Sequence, residues 1–439
     1  MKKCAFASLR SLSAATAICA VSGMALSAQA EMEFDWSAEV GLQLGSVSNE
    51  LTLEKLSTVP APVDESSYVV GRFDGRFDFT LANRMGDTLA GLDVGLYSNP
   101  NTKFDESDGI TEFDRTNLEL TRIRENDVVD FDKLMLFYDN PDFGRFELGW
   151  SAGPNHRLLV TPATDWGVGS FAGDYPYFFD KPQDIGFVGI SAYGSANTSP
   201  RLSYYTPEFF GTVIGVSYQA DTRNSGFDFE FGDDAPGLMG RRILDPDASL
   251  DAADDVYEEG DSYEGHTAGF TNVFEASIRN EAELGPVTLI TGFGFNQGTA
   301  VDSPSGYEFN DLSSFQAGMS LLWGPLTLGF GGVAADDSGY AELAHWRQRQ
   351  DRHSVYIGGQ YEWDDWTFGL ARFYSDDAGD PTERSDRQQE FYSAGLRYEY
   401  SETIDIGVEY DFIQPLSADY GDYDSHTLLM EVRWKIDSE

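Results

Sequence analysis

Apolar and polar side chains alternate along many stretches of the chain. Between Tyr68 and Leu81 the odd-numbered positions are apolar or glycine, whereas the even-numbered positions from Arg72 onward are charged or threonine. The same period of two recurs over residues 392–400, 404–412 and 426–436. Because successive side chains of a β-strand point to opposite faces, this pattern predicts strands with one apolar and one charged face.

The predicted strands are joined by connections of two alternating kinds. Seven are short and contain residues that favour tight turns, at 83–87, 140–144, 206–211, 285–286, 324–325, 364–365 and 402–403. Eight are long and polar, at 46–66, 99–128, 151–197, 221–268, 299–312, 338–352, 376–389 and 414–424. Seven hairpins account for fourteen strands, and one further strand at each end makes sixteen. Short turns on one side and long loops on the other are typical of an all-β fold, a closed antiparallel transmembrane β-barrel.

The hydropathy of the chain agrees with a barrel. After residue 30 there is no run of about eighteen apolar residues, so the sequence predicts no transmembrane helix. In lipid every backbone N–H and C=O must be paired within the protein, and a closed barrel does this by pairing each strand with two neighbours. The apolar face would then contact lipid, and the charged face would contact water in the lumen.

The first thirty residues have the composition of a secretory signal peptide. Lys2, Lys3 and Arg10 precede or flank an apolar stretch over residues 12–26, and Ala28-Gln29-Ala30 matches a cleavage site. We therefore predict two parts, a signal peptide over 1–30 and an outer-membrane β-barrel over 31–439. Both cysteines, Cys4 and Cys19, fall in the signal, so the mature chain would contain no disulfide.

The chain is strongly acidic. Its formal net charge is −45, and removing the three basic signal residues leaves 26 Lys and Arg against 74 Asp and Glu, or −48. A nucleic-acid partner is excluded, because phosphate binding needs a basic face. The same balance argues against docking on anionic lipid through a basic patch.

Two stretches and the long segment between them resemble a known family. The stretches are Lys133–Pro154 (KLMLFYDNPDFGRFELGWSAGP) and Ser199–Asp221 (SPRLSYYTPEFFGTVIGVSYQAD). In these stretches and in the order of its elements, the mature chain resembles the Gram-negative general porins, which are trimeric sixteen-stranded barrels with a third loop folded into the lumen. The resemblance implies a homotrimer in the outer membrane of a Gram-negative bacterium, in contact with outer-membrane lipid. It also implies a water-filled channel for passive diffusion of small hydrophilic solutes and ions, narrowed by the segment 151–197.

Eight charged residues are candidates for the pore constriction. The acidic candidates lie in the segment after the fifth predicted strand, and the basic ones lie on inward faces of strands that barrel closure would bring together: Asp165, Asp174, Asp180 and Asp184, and Arg72, Arg76, Arg397 and Arg433. Opposed across the lumen, they would create a transverse field that favours small dipolar or ionic solutes. Alternatively, each arginine pairs with a wall carboxylate such as Asp74, Asp78 or Glu399, and the loop acids are ordinary solvated side chains.

Acidic loops raise the question of a metal ion, since Ca²⁺ prefers several carboxylate oxygens. The segment 221–268 carries fourteen acidic residues and three arginines, and its candidates are Asp245, Asp247, Asp251, Asp254 and Asp255. A second candidate is Asp105-Glu106-Ser107-Asp108-Gly109. A solvated acidic surface is the simpler interpretation of these segments, and no other cofactor is expected.

Three other functions remain alternatives to a general diffusion channel. A solute-specific channel would have a saturable binding site in the constriction, and an adhesin would have its lumen plugged by the third loop. A barrel protease or phospholipase would need catalytic side chains that converge at the rim. The sequence has no H-E-x-x-H or G-x-S-x-G motif, so we expect no enzyme. The net charge favours a preference for cations.

Overall fold

The chain forms a closed antiparallel β-barrel. A computed structural model describes residues 31–52, 66–98, 101–105, 130–162, 166–167, 192, 199–222, 269–301, 309–339, 352–377, 387–415 and 422–437. The predicted signal peptide lies outside these residues and stays a prediction. The described strands are β1 (Glu31–Thr52), β2 (Ser66–Met85), β3 (Thr88–Ser98), β4 (Asn101–Asp105), β5 (Asp130–Asn140), β6 (Gly144–Ser151), β7 (Ser199–Tyr205), β8 (Thr212–Asp221), β9 (Phe270–Leu284), β10 (Val287–Ala300), β11 (Leu312–Trp323), β12 (Leu326–Ala334), β13 (His353–Trp363), β14 (Trp366–Asp377), β15 (Arg387–Ser401), β16 (Ile404–Pro415) and β17 (Asp422–Asp437).

The barrel closes through its first strand. β1 pairs with β2 on one side and with β17 on the other, and each remaining strand pairs with its neighbours along the chain. β4 continues β3 against β2 in one register, with Gly75 opposite Ser98 and Arg72 opposite Asn101. The seventeen segments therefore make the sixteen strand positions that the sequence predicts.

Some strands extend into stretches that the sequence predicts to be loops. β1 reaches Thr52 and β2 begins at Ser66, although residues 46–66 read as one polar connection. Residues 101–105, expected within the long loop 99–128, form β4. The expectation of loop there is wrong, because pairing with the long β2 satisfies backbone groups irrespective of side-chain polarity.

The predicted faces of the strands are confirmed. The even-numbered positions of β17, such as Leu428 and Met430, are exposed on the outer surface, whereas the odd-numbered Leu429 and Glu431 are buried on the inner side. β14 has the same parity, with Leu370 outside and Ala371 inside. Short turns at Gly285 and Gly324 have φ values of 71° and 56°, a left-handed conformation that favours glycine. In the described part of the chain, no helix is long and apolar enough to cross a membrane.

Candidate constriction site on the inner wall

The segment after β6 begins directly above a buried ion pair. A short helix, α1 (Pro154–Arg157), starts after Gly153 with proline at its first position, where no N–H is needed. A Cβ on Gly153 would lie 2.0 Å from Glu275 Oε2 and 2.2 Å from Arg201 Nη1. Arg201 and Glu275 are joined at 2.7 Å, with side-chain exposures of 0% and 1%. A side chain at position 153 would therefore have to displace the charged ends of this ion pair, and the Gly153 backbone lies directly against the pair.

Beyond α1 the chain follows a row of inward-facing glycines on the opposite side of the barrel. We call this row the glycine groove, formed by Gly292 on β10, Gly318 on β11, Gly329 on β12, Gly358 on β13, Gly369 on β14 and Gly395 on β15. Added Cβ atoms would lie 2.7 Å from Val160 Cγ2 at Gly292, 2.6 Å from Pro162 Cα at Gly329 and 2.0 Å from Trp166 Cδ1 at Gly369. The described residues of this segment therefore lie against the inner wall from β10 to β15.

Gln316 on β11 contacts the segment at two places. Its Nε2 donates to the carbonyl oxygen of Asn155 at 2.6 Å, and its Oε1 accepts from the backbone N–H of Ala192 at 2.6 Å. Asn155 in turn donates to the carbonyl oxygen of Phe295 on β10 at 3.0 Å. One buried side chain thus holds two parts of the segment that are far apart in sequence.

Alternating charges line the wall beside this segment. The β2–β6 charge group comprises Arg76, Asp78, Asp93, Lys133, Arg145, Glu147 and Arg157. Lys133 Nζ lies 3.1 Å from Asp78 and 2.9 Å from Asp93. Arg145 Nε lies 2.6 Å from Glu147, which also pairs with Arg157. Four cations and three carboxylates therefore line this wall, and each cation contacts a carboxylate.

Arg157 extends this charge group from α1. Burial opposes its charge, but Tyr205 and Glu147 favour it more, so the pKa of the guanidinium is raised and the group stays protonated. Its guanidinium also lies 5.0 Å from the centre of the Tyr205 ring. Arg157, a residue of α1, therefore adds a fixed positive charge to the β2–β6 charge group.

A second set of charges adjoins the first across β1. The β15–β1 charge group comprises Glu39, Arg397, Asp405, Glu431, Arg433 and Lys435. Arg433 lies 3.0 Å from Glu39 and 3.1 Å from Glu431, and Arg397 lies 3.2 Å from Glu431. Glu39 is directly opposite Arg76 in the sheet. The two groups therefore form one band of charge across β15–β17 and β1–β6.

The structure brings three of the predicted arginines to this band. Arg76, Arg397 and Arg433 lie on inward faces of β2, β15 and β17, as predicted, and each has a carboxylate partner. Arg397 pairs with Glu431 at 3.2 Å and with Asp405 at 3.6 Å. These partners differ from Glu399, the wall carboxylate two residues along the same strand that the sequence analysis named as an example.

The remaining candidates lie outside the described part of the chain. These are the side chain of Arg72, the acidic residues Asp165, Asp174, Asp180 and Asp184, and the calcium candidates in 221–268 and 106–109. The backbone of Asp105 pairs with Tyr68 as part of β4. Within the described ranges, no group of three or more His, Cys, Asp or Glu is placed to hold a metal ion.

Sequence reasoning missed Lys133, Arg145, Arg157 and the glycine groove. Lys133 and Arg145 stand on β5 and β6, where the alternation is obscured because Met135 and Phe137 also point inward. Phe137 is tolerated there because the Arg145 guanidinium lies 4.6 Å from the centre of its ring. The signal for the groove was present in the sequence as glycines on the inward parity of successive strands.

A closed barrel with a lipid-compatible outer face and a charged inner wall defines a membrane-spanning β-barrel channel. The sequence matches the Gram-negative porin family over residues 14–414. The chain belongs to this family, and it is an outer-membrane channel for passive diffusion of small solutes. Family membership thus favours a channel over the barrel enzymes considered above.

Solved structures show the same fold. OmpF of Salmonella typhi, in complex with daunomycin, has a TM-score of 0.53 and 10% identity, with 92% of this chain and 97% of that chain covered. The outer membrane channel DcaP of Acinetobacter baumannii has a TM-score of 0.52 and 12% identity, with 93% and 97% covered. At such identities the likeness concerns the fold alone. No curated protein sequence matches the chain.

Proposed function

We propose that this porin is a general diffusion channel that prefers cations and is narrowest where the segment 151–197 passes through the lumen. The observation that carries the proposal is the path of Val160, Pro162 and Trp166 against inward-facing glycines. A chain that lies on the inner wall takes cross-section away from the lumen. Solutes would then pass between this segment and the band of charge.

The charge balance of the wall supports the cation preference. Each of the seven cations in the two charge groups lies within 4.0 Å of one of their six carboxylates, so the positive charge of the described wall is paired and attracts anions only weakly. The whole chain carries −45, and the segment contributes Asp165, Asp174, Asp180 and Asp184. Charge close to the narrowest point acts over a short distance, whereas distant surface charge is screened within about 8 Å at physiological salt.

The most exposed described arginine of the band provides a sharp test. Arg76 has a side-chain exposure of 50% and faces the lumen, whereas Arg372 has 49% but lies on the outer face of β14. Zero-current potentials across a salt gradient should show cation preference in the parent protein. Arg76→Gln should increase it, and replacement of the four acidic residues with asparagine should decrease it.

Arg372→Gln is the matched control and should leave the zero-current potential unchanged. An anion-selective parent channel, or equal effects of the Arg76 and Arg372 variants, would contradict the proposal. The same recordings address the solute-specific alternative, because currents that saturate with one solute would indicate a binding site in the constriction.

We also propose a homotrimer, on the strength of the resemblance to trimeric porins. The outer face offers apolar surface for such contacts, including stacked Trp36 and Phe77 with ring centres 6.0 Å apart. Such a surface can face either lipid or another subunit, so the assembly needs its own measurement.

A further inference from the structure

One patch of the inner wall is apolar, although the inner face of a membrane barrel is normally polar. Tyr356 on β13, Phe373 on β14, Phe391 on β15 and Ile413 on β16 all point inward, and each is at most 3% exposed. They form one cluster with Trp166 of the segment after β6, which is 0% exposed. An apolar wall next to water requires a cover, and Trp166 is part of that cover.

Two glycines provide the space that the indole occupies. Gly369 and Gly395 lie directly opposite each other on β14 and β15, and we call this pair the glycine socket. A Cβ on Gly369 would lie 2.0 Å from Trp166 Cδ1, and a Cβ on Gly395 would lie 2.4 Å from Trp166 Cε3. Both ends of the indole therefore rest on backbone where any other residue would displace it.

The backbone beside the indole is held by the band of charge. Arg397 donates from Nη2 to the carbonyl oxygen of Gly167. Arg397 is itself oriented by Glu431 at 3.2 Å and Asp405 at 3.6 Å. Among the described residues of the segment, Trp166 and Gly167 make the contacts that lie farthest along the wall from β6.

We propose that Trp166 is a positioning residue of the channel. Its indole in the glycine socket holds the segment against β13–β16 and so determines the free width of the lumen. This inference rests on the proposed function, in which the segment lines the channel. Without the indole, the segment keeps its contacts near β8–β13 but is released at its far end, where it can move into the lumen.

Substitution of Trp166 tests this role in single-channel recordings. Trp166→Ala should raise open-channel noise severalfold and broaden the distribution of conductance, whereas Trp166→Phe should largely retain the parent behaviour. Trp366→Ala removes a tryptophan from the outer face of β14 and should leave both quantities unchanged. Circular dichroism and heat-modified migration establish that each variant forms the barrel.

A reversible tether separates positioning from folding. The Cγ of Trp166 lies 2.1 Å from the position that a Cβ would take at Gly369, so the two Cβ positions fall within the roughly 4.5 Å that a disulfide allows. The predicted mature chain has no other cysteine. In Trp166→Cys/Gly369→Cys, oxidation should give quiet channels, and reduction should produce the noise of Trp166→Ala.

The inference is overturned if Trp166→Ala has parent noise and conductance, if the tether cannot form, or if oxidation and reduction give the same currents. Deletion of residues 170–179 distinguishes a failure of the role proposed for Trp166 from a failure of the proposed function. If the deletion enlarges the channel while Trp166→Ala changes nothing, only the role of Trp166 is lost. If neither variant changes the current, the segment does not line the channel.

Discussion

At the scale of single residues, the inner wall contains ion pairs of similar chemistry in very different surroundings. Arg201 and Glu275 are sealed beneath Gly153, whereas Arg279 and Glu281, further along β9, have side-chain exposures of 38% and 49%. Removing one partner of a buried pair leaves an uncompensated charge, which typically costs ~3–5 kcal/mol. An exposed pair contributes at most about 1 kcal/mol because water and salt screen it.

The first pair should therefore be far more sensitive to substitution than the second. Arg201→Met should lower the free energy of unfolding by ~3–5 kcal/mol, as measured by urea denaturation in lipid vesicles. Arg201→Met/Glu275→Leu should recover much of this loss because no charge stays buried. Arg279→Met is the control, and an equal loss in both single variants would show that the pair is not sealed.

At the scale of elements, six strands provide one continuous support for an irregular segment. Gly292 on β10 lies opposite Gly318 on β11, Gly329 on β12 lies opposite Gly358 on β13, and Gly369 lies opposite Gly395. Glycine weakens an isolated strand, but a missing side chain is required where another backbone approaches closely. The glycines of the groove therefore lower the intrinsic strand preference of β10–β15, but they allow the segment to pack directly against these strands.

Shortening the segment between its described contacts should widen the channel. Deletion of residues 170–179 leaves Trp166 and Ala192 in place, and the conductance should rise because less chain occupies the lumen. Liposome swelling should show that larger sugars enter. Deletion of residues 245–254, in the connection from β8 to β9, is the control of equal length. Unchanged conductance and size limit in a folded 170–179 deletion would mean that the residues lie outside the channel.

At the scale of the whole molecule, the outer surface must satisfy lipid and, in an oligomer, a neighbouring subunit. Exposed apolar side chains such as Leu370, Ile357 and Phe330 cover the outer face of β12–β14. A barrel buries its backbone hydrogen bonds between strands, so it resists detergent until it is heated. An assembly of such barrels can show the same resistance.

The trimer predicts a particular migration pattern. Unheated protein in sodium dodecyl sulphate should migrate as about three chains of 48.5 kDa or somewhat less after loss of the signal peptide, and boiling should convert it to monomer. Chemical cross-linking in outer-membrane vesicles is the independent measurement. If both methods find only single chains, the proposed trimer is wrong, whereas the barrel fold is unaffected.

The sequence by itself determined the class of fold, the number of strand positions and, wherever the alternation is regular, the face on which the strand side chains lie. These depend on a period of two and on tight turns, which are local properties of neighbouring residues. It therefore placed Arg76, Arg397 and Arg433 on inward faces. The strand extensions at Thr52 and Asn101 were missed because backbone pairing can continue where the side-chain pattern fades.

Only the tertiary structure decided which side chains meet across the barrel. Arg397 pairs with Glu431 and donates to Gly167 because strand register and the path of an irregular segment bring them together, over 34 and 230 positions of the chain. The socket of Gly369 and Gly395 acquires its meaning only when Trp166 arrives from another part of the sequence. Such contacts have no local period, so no pattern along the chain predicts them.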